Sequence, residues 1–357
     1  MTYLTFFVSL KRFTAEICGY FYKFLPVCHH SVFGTPMLNS IIAPVQTHID
    51  AFEKRLTEVL TSDVITVQHM GDHLQANRGK RFRPALALLT AQAVGECTDA
   101  VIDAAVAIEI IQTATLVHDD VLDSADMRRG AEVLHQVWGN RAAVLMGDFL
   151  LAKALQVLVE IGSLAVMQAT TRATQFIIEG EILETENEGN AEASAYFNMI
   201  GKKTASLMAL ACEVGAILGN GSPEQISHMT KFGTQFGVAF QITDDLLDFI
   251  GDEKTLGKPV GTDIRERKLT LPLIRALSNC QNGEAAHIQN KVISGVQSDE
   301  DWEEILTFIR RYQGIEAAQK EAQAYAQSAL ASLDTLQTSD ARDALTLAVR
   351  HVVERDR

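Results

Sequence analysis

The sequence predicts an all-α fold, a bundle of helices, and three observations carry that expectation. Proline is scarce: there are 7 in 357 residues, with none between Pro84 and Pro223 and none after Pro272. The intervening stretches are rich in Ala, Leu, Gln and Glu, strong helix formers, and lack the residue that most reliably ends a helix. Alternating Val/Ile/Thr runs bounded by Asn-Gly or Asp-Gly turns, the mark of hairpins, are not found in the sequence.

Taken in order, the elements agree with this. The first 36 residues stand apart, with Phe6, Phe7, Phe13, Tyr20, Phe21, Tyr22 and Phe24 but almost no acids. Lys11, Arg12, Glu16 and Lys23 break their apolar runs into pieces too short for a signal peptide. Residues 1–36 are therefore expected to form a poorly structured extension, with Met37 as an alternative start. Residues 37–357 are expected to form one continuous domain of about a dozen helices. One helix closes over Ala91–Gly95, and Thr98, an N-cap residue type, opens the next. A long apolar helix then ends in TATLVHDDVLD before a break at Met127–Gly130, and another ends in FGVAFQITDDLLD before Gly251. No Ser/Pro-rich linker or repeat of 20–50 residues interrupts the series.

Composition narrows the function. With 31 Lys+Arg against 45 Asp+Glu the net charge is −14, which argues against nucleic-acid binding because a phosphate backbone needs a basic footprint. An anionic small molecule stays admissible if metal ions or a local basic cluster offset the field. Cys18, Cys28, Cys97, Cys212 and Cys280 are scattered and form no CxxC pair, which suits a reducing, cytoplasmic setting and excludes a disulfide scaffold. No run of about 18 uninterrupted apolar residues suggests a stable membrane span.

The sharpest motif is a repeated acidic pattern, Asp119-Asp120-Val121-Leu122-Asp123 and Asp244-Asp245-Leu246-Leu247-Asp248. A single DDxxD arises by chance with odds on the order of 0.1 in a chain this long, so one copy means little. Two copies, each ending an apolar helix, mean more. Residues i and i+4 share a helix face, so Asp119 converges with Asp123 and Asp244 with Asp248. Carboxylate oxygens completed by water and phosphate are the hard ligand set that Mg²⁺ prefers. Helix C-termini carry partial negative charge, so carboxylates there cost ~0.3–1 kcal/mol each without a cation. A local rule broken twice in the same way points to function rather than to two solvated helix ends.

A basic set flanks these motifs: Lys80 and Arg83 in GKRFRP, Arg128-Arg129-Gly130, Lys203-Thr204 in IGKKTASL, and Lys258 and Lys268 in GKPVGTDIRERK. Each alone reads as surface charge; together, in an acidic chain, they read as clamps for phosphoryl oxygens. Gly251–Lys258 (GDEKTLGK) resembles a P-loop but has the wrong spacing and Pro259 where Ser or Thr is required. His69 and His73 have i,i+4 ligand spacing without an accompanying carboxylate motif, and the acids from Glu179 to Glu192 are expected to be a solvated face.

Together, GKRFRP, DDVLD with RRG, GDFLLAKA, GKKTASL, FQITDDLLD and GKPVGTDIRERKLTLPLI, in that order from Gly79 onward, resemble the trans-isoprenyl diphosphate synthases. Within that family the chain is most similar to bacterial long-chain, octaprenyl-type polyprenyl diphosphate synthases, which make quinone side chains. The resemblance implies an all-α isoprenoid synthase bundle around a deep central cavity, a homodimer, and about three Mg²⁺ per active site. It assigns Asp119, Asp120, Asp123, Asp244, Asp245 and Asp248 to metal ions on an allylic diphosphate. Arg128, Lys203, Thr204, Gln241, Lys258 and Lys268 would surround that diphosphate. Lys80, Arg83 and Arg129 would hold isopentenyl diphosphate, with Gln112 standing where many long-chain relatives carry His.

The same resemblance implies an ionisation mechanism. Metal draws off the allylic diphosphate, the double bond of isopentenyl diphosphate attacks the cation, and a proton leaves, so the product is five carbons longer. Water must be excluded, and the apolar faces bearing Val117 and Leu122 suit that. Thr115 and Ala114 stand four and five residues before Asp119, where shorter-chain relatives often carry bulky aromatics; small residues there imply a product of roughly C30–C50. The alternatives are a farnesyl or geranylgeranyl diphosphate synthase, a class I terpene cyclase, and a non-catalytic synthase subunit. The intact second DDxxD with GKRFR and RRG argues against a cyclase, and the complete set of motif carboxylates against a silent subunit.

Overall fold

The computed structural model describes residues 36–251 and 260–354, so the expected extension before Pro36 and the candidate ligand Lys258 lie outside the described residues. The described chain opens with α1 (Pro36–Ile42), α2 (Gln46–Val59) and α3 (Ile65–Ala76). GKR leads into α4 (Phe82–Val94), and Arg81 just before it adopts a left-handed backbone, φ 55°. Thr98 sits at the N-cap of α5 (Asp99–Leu122) in extended backbone, although its side chain makes no capping hydrogen bond. Apolar residues ring α5: Val101, Ala105, Ile108, Ile110 and Ala114 are all buried, which fits a helix enclosed on most sides.

One hairpin departs from the all-helical expectation. β1 (Met127–Arg128) and β2 (Ala131–Glu132) pair antiparallel, joined by Arg129 and Gly130 at φ 54° and 78°. Positive φ at both turn residues is the mirror-image geometry that matches strand twist; it is usually announced by Asn-Gly or Asp-Gly, and here by Arg-Gly. The helices outnumber the expected dozen because short connectors such as α6 (Leu134–Trp138) are helical too. α7 (Asn140–Ile161) packs along α5, and α8 (Leu164–Glu186) follows it.

α9 (Ala193–Ile200) runs into a π-helical turn, Gly201–Ala205, and then α10 (Ser206–Leu218). α11 (Pro223–Ile250) is the longest helix at 28 residues, started by a capping box between Ser222 and Gln225 with Pro223 in its first turn. A Cβ at Gly215 on α10 would run into the Ala87 carbonyl of α4, and one at Gly233 on α11 would lie 2.6 Å from the Met208 carbonyl. These glycines let three helices approach backbone to backbone. α12 (Thr262–Arg265), α13 (Leu271–Asn279), α14 (Glu284–Ser294), α15 (Asp299–Arg311), α16 (Gly314–Ser332) and α17 (Asp340–Glu354) complete the chain. Ile242, Leu246 and Phe249 of α11 share a core with Leu271, Ile274, Ile305 and Ile309. Each such side chain contributes ~1.5–3 kcal/mol by leaving water.

Two helices, α5 and α7, are long and apolar enough to cross a membrane by length and composition. Neither is an uninterrupted apolar run: Glu109 breaks the first, and Asp148 and Lys153 break the second. The apolar window of α5 is 67% buried inside the fold and that of α7 only 39%, so α7 keeps an exposed apolar face.

Candidate active site

Both acidic motifs sit at helix C-termini. Asp119 and Asp120 lie in the last turn of α5 and Asp123 caps it; Asp244, Asp245 and Asp248 lie in the last two turns of α11. Asp123 from one motif and Asp245 from the other line the same cavity, about 250 Å³, together with Lys203, Thr204, Gln241 and Lys268. Residues predicted from four separate stretches of sequence therefore share one space.

The three carboxylates of the second motif are placed differently from one another. Asp244 is half-buried and acts electrostatically on Arg83. Asp245 is buried, and its Oδ1 accepts from Gln241 Nε2 (2.8 Å) while its Oδ2 accepts from Tyr196 Oη (2.6 Å). Asp248 Oδ2 accepts from the backbone N–H of Asp263 (3.0 Å), and its carbonyl accepts from the N–H of Gly261 (2.9 Å). Asp248 thus ties α11 to the start of the GTDIRERK segment, which carries Lys268 back to the cavity.

The expected solvated acidic face is corrected in part: Glu186, Glu188 and Glu192 are exposed, but the acids before them are paired. Glu181 and Glu184, at the end of α8, hold Lys203: its Nζ donates to Glu181 Oε2 (2.8 Å) and to Glu184 Oε2. Glu184 also lies 3.9 Å from Lys268, which pairs with Glu266 at 3.0 Å, and Glu179 pairs with Lys202. Burial alone would lower the Lys203 pKa, but Glu184 and Glu181 more than offset it, so its pKa is raised and it stays charged. The π-turn is what brings Lys203 and Thr204 here, since one extra residue per turn redirects side chains relative to a regular helix.

A second, smaller pocket of about 70 Å³ is lined by Gly79, Arg81, Glu109, Gln112, Asp120, Arg128 and Arg129. Arg129 is presented by the hairpin turn and donates from Nη1 to the Asn77 carbonyl (3.1 Å). The Arg129 guanidinium packs against the Gly79 backbone, so a Cβ at Gly79 would meet its Nη2 at 2.8 Å and displace the guanidinium. Arg128 Nε donates to Asp120 Oδ1 (2.7 Å), so these two predicted ligands face each other and border the arginine pocket rather than the larger cavity. Arg83 is half-buried beside this pocket; burial lowers its pKa, with Glu109 and Asp244 opposing. Lys80 is exposed at the same turn. His73 Nε2 lies 2.8 Å from the Glu132 carbonyl and its ring meets Trp138 edge-on, so it braces the pocket wall.

Several residues here carry no distinct signal in the sequence. Arg81 is buried, bonded through Nε to Glu53 Oε1 (2.8 Å) and through Nη1 to Glu109 Oε1 (2.6 Å). Arg81, Asp263, Glu181 and Glu184 all lay inside quoted motifs or the acid-rich stretch, where charge alone did not separate inward from outward. Tyr196 had no signal beyond standing seven residues before Lys203.

The expected chain-length residues, Ala114 and Thr115, lie on the inner part of α5. Ala114 is fully buried, and Thr115 Oγ1 donates to the Gln112 carbonyl (2.9 Å). An apolar cavity of about 200 Å³ opens at Ile111, one turn further from the motif than Thr115, with Leu151, Leu155, Leu158, Thr170 and Thr174. Val117 is buried as a water-excluding wall requires, whereas Leu122 is 73% exposed and walls nothing in this chain.

The donor set suits a hard cation. Burial, then Glu181, pushes the Asp119 carboxyl up to about 7, and burial, then Asp263, raises Asp245 well above the carboxylate range. Crowded carboxylates of this kind are relieved by a divalent ion. Among the described residues no three His, Cys, Asp or Glu side chains already converge as a finished cage.

Comparison with known proteins agrees with this geometry. The sequence model of the family described as polyprenyl synthetase matches residues 65–309. The chain is 36% identical over 304 residues to octaprenyl diphosphate synthase of Escherichia coli (strain K12), covering 85% of this chain and 94% of that one. It is also 36% identical, over 312 residues, to a short chain isoprenyl diphosphate synthase of Methanothermobacter thermautotrophicus, covering 85% and 95%. Polyprenyl synthase from Caulobacter crescentus CB15, solved as a complex with calcium and isoprenyl diphosphate, superposes with a TM-score of 0.84 at 32% identity, covering 90% of this chain and 98% of that one.

Proposed function

The chain belongs to the polyprenyl synthetase family, and from that premise we propose that it makes a long, octaprenyl-type all-trans diphosphate of the kind used for quinone side chains. It does so by adding isopentenyl diphosphate repeatedly to an allylic diphosphate. The observation that carries this reading is the pairing of two unlike anion sites. One is the cavity where Asp123 and Asp245 meet Lys203 and Lys268; the other is the arginine pocket around Arg129 and Gln112.

Asp119, Asp120 and Asp123, with Asp244, Asp245 and Asp248, would hold Mg²⁺, which when bound neutralises the charge that develops on a departing diphosphate. Lys203 and Lys268 exchange their glutamate partners for phosphoryl oxygens, while Thr204 and Gln241 face the reacting carbons. Arg83, Arg129 and Lys80 hold the second diphosphate by charge alone, so it is retained rather than expelled. Its double bond attacks the allylic carbon, and the released diphosphate takes the proton. The growing tail passes Val117 toward the apolar cavity at Ile111, two helical turns or about 12 Å from Asp119.

A second copy of the chain is the natural cover for the exposed apolar residues Leu145, Leu155 and Val159 of α7 and Leu164, Ile178 and Ile182 of α8. Sedimentation is then expected at about twice the 39.1 kDa chain mass; a 39.1 kDa species at micromolar concentration contradicts the pairing.

Product length is the testable core, because the relatives' names divide between octaprenyl and short chain. Pure protein incubated with farnesyl diphosphate, labelled isopentenyl diphosphate and Mg²⁺ should give, after dephosphorylation and chromatography, a ladder ending near C40. A stop at C20 assigns the chain to the short-chain group. Labelled cyclic hydrocarbon would instead favour a cyclase.

A further inference from the structure

We propose that Tyr196 is a positioning residue of the active site, acting through Asp245 to set the second acidic motif against the Lys203–Thr204 turn. Tyr196 stands on α9, 49 residues before its partner, and is 3% exposed, with its ring edge-on to Phe197 at 5.4 Å. Its hydroxyl donates to Asp245 Oδ2 at 2.6 Å, while Gln241 Nε2 donates to Oδ1 at 2.8 Å. The Thr204 hydroxyl donates to Gln241 Oε1 at 2.7 Å. Four side chains from α9, the π-turn and α11 thus form one unbranched chain of hydrogen bonds ending at Tyr196.

In the ionised state that would hold a cation, Asp245 only accepts, so it takes two donors, and Gln241 supplies one by turning its NH₂ toward Asp245 and its carbonyl toward Thr204. The tyrosine supplies the other. Both Asp245 oxygens are then fixed in plane, each with a further lone pair, and Asp245, Thr204 and Gln241 all line the large cavity. The phenol has no other hydrogen-bond partner among the described residues, so its polar function is spent on this contact. A network with one member missing is worse than none, because the freed Asp245 oxygen stays buried without its donor. Loss of the hydroxyl therefore lets the carboxylate rotate, and Gln241 and Thr204 lose their register with it.

This inference deepens the proposed reaction and rests on it, and the test separates the two. Tyr196→Phe removes one oxygen and keeps the ring, so packing against Phe197 survives. In the full chain it is expected to raise the half-saturating Mg²⁺ concentration about tenfold and lower kcat about tenfold, with KM for isopentenyl diphosphate changed less than twofold. Calorimetric binding of inorganic pyrophosphate in the presence of Mg²⁺, which needs no turnover, should weaken about tenfold. Because the residue acts through Asp245, the same change in an Asp245→Asn background should cost less than twofold. Tyr312→Phe, which removes a surface phenol bonded to Glu284, should leave all four readouts unchanged. Equal factors in both backgrounds overturn the proposal, as do wild-type Mg²⁺ dependence and pyrophosphate affinity in Tyr196→Phe. Absence of condensation by the wild-type chain overturns the proposed reaction instead, while the pyrophosphate titration still decides the role of Tyr196.

Discussion

Gly180 shows how much of the site rests on single atoms. It lies on α8, and a Cβ there would approach the backbone N and Cα of Lys203 at 2.5 and 2.7 Å. Backbone atoms cannot rotate aside, so Gly180→Ala must push α8 away from the π-turn that presents Lys203. Overpacking of this kind costs about 1–3 kcal/mol. The variant should melt several degrees lower and lose at least tenfold in kcat, read by thermal denaturation and steady-state assay. Gly201 is the control: nothing lies within 4 Å of its Cβ position, so Gly201→Ala should leave both within error or slightly improve stability. Equal effects at the two positions would show that the close approach is not what constrains Gly180. The contrast was invisible in the sequence, where both are glycines beside charged residues. Arg81 makes the same point: GKRFRP offers three basic residues, and only the fold shows that the middle one turns inward to Glu53 and Glu109.

At the scale of elements, the π-turn decides what the helices can do. Gly201–Ala205 carries one residue too many for a regular helix between α9 and α10. Deleting Lys202 should restore regular winding and swing Lys203 and Thr204 about 100° from the cavity. The deletion is expected to keep the helical circular dichroism signal and lose more than a hundredfold in activity. Full activity in a well-folded deletion would mean that the bulge does not aim these residues. The long helices themselves were readable because proline is missing from α5, α7, α8 and α10 and stands in α11 only at its first position, Pro223, where a helix tolerates it. The hairpin at Arg128–Glu132 was not, because a two-residue strand has no periodicity and its turn uses Arg129 at positive φ instead of Asn or Asp. The Glu181–Lys203 and Glu184–Lys203 pairs were also hidden, since residues 19 and 22 apart are matched only by how α8 and the π-turn pack.

For the whole molecule, two acidic helix ends and two basic segments converge on adjoining pockets, and the motifs named most of the participants. They did not tell which residue faces which pocket. Arg128 and Asp120 border the arginine pocket, and the apolar cavity begins at Ile111. Those assignments depend on helix rotation and on crossing angles that no local pattern encodes. The proposed chemistry requires one diphosphate between the two aspartate motifs and the other among the arginines. A crystal structure of the chain with Mg²⁺, an unreactive thio-analogue of farnesyl diphosphate and isopentenyl diphosphate decides whether they lie there. The allylic diphosphate is expected against Lys203 and Lys268, with metal on Asp119 and Asp244, and the isopentenyl diphosphate against Arg83 and Arg129. Both diphosphates in one pocket, or metal bound away from the two motifs, would refute that arrangement.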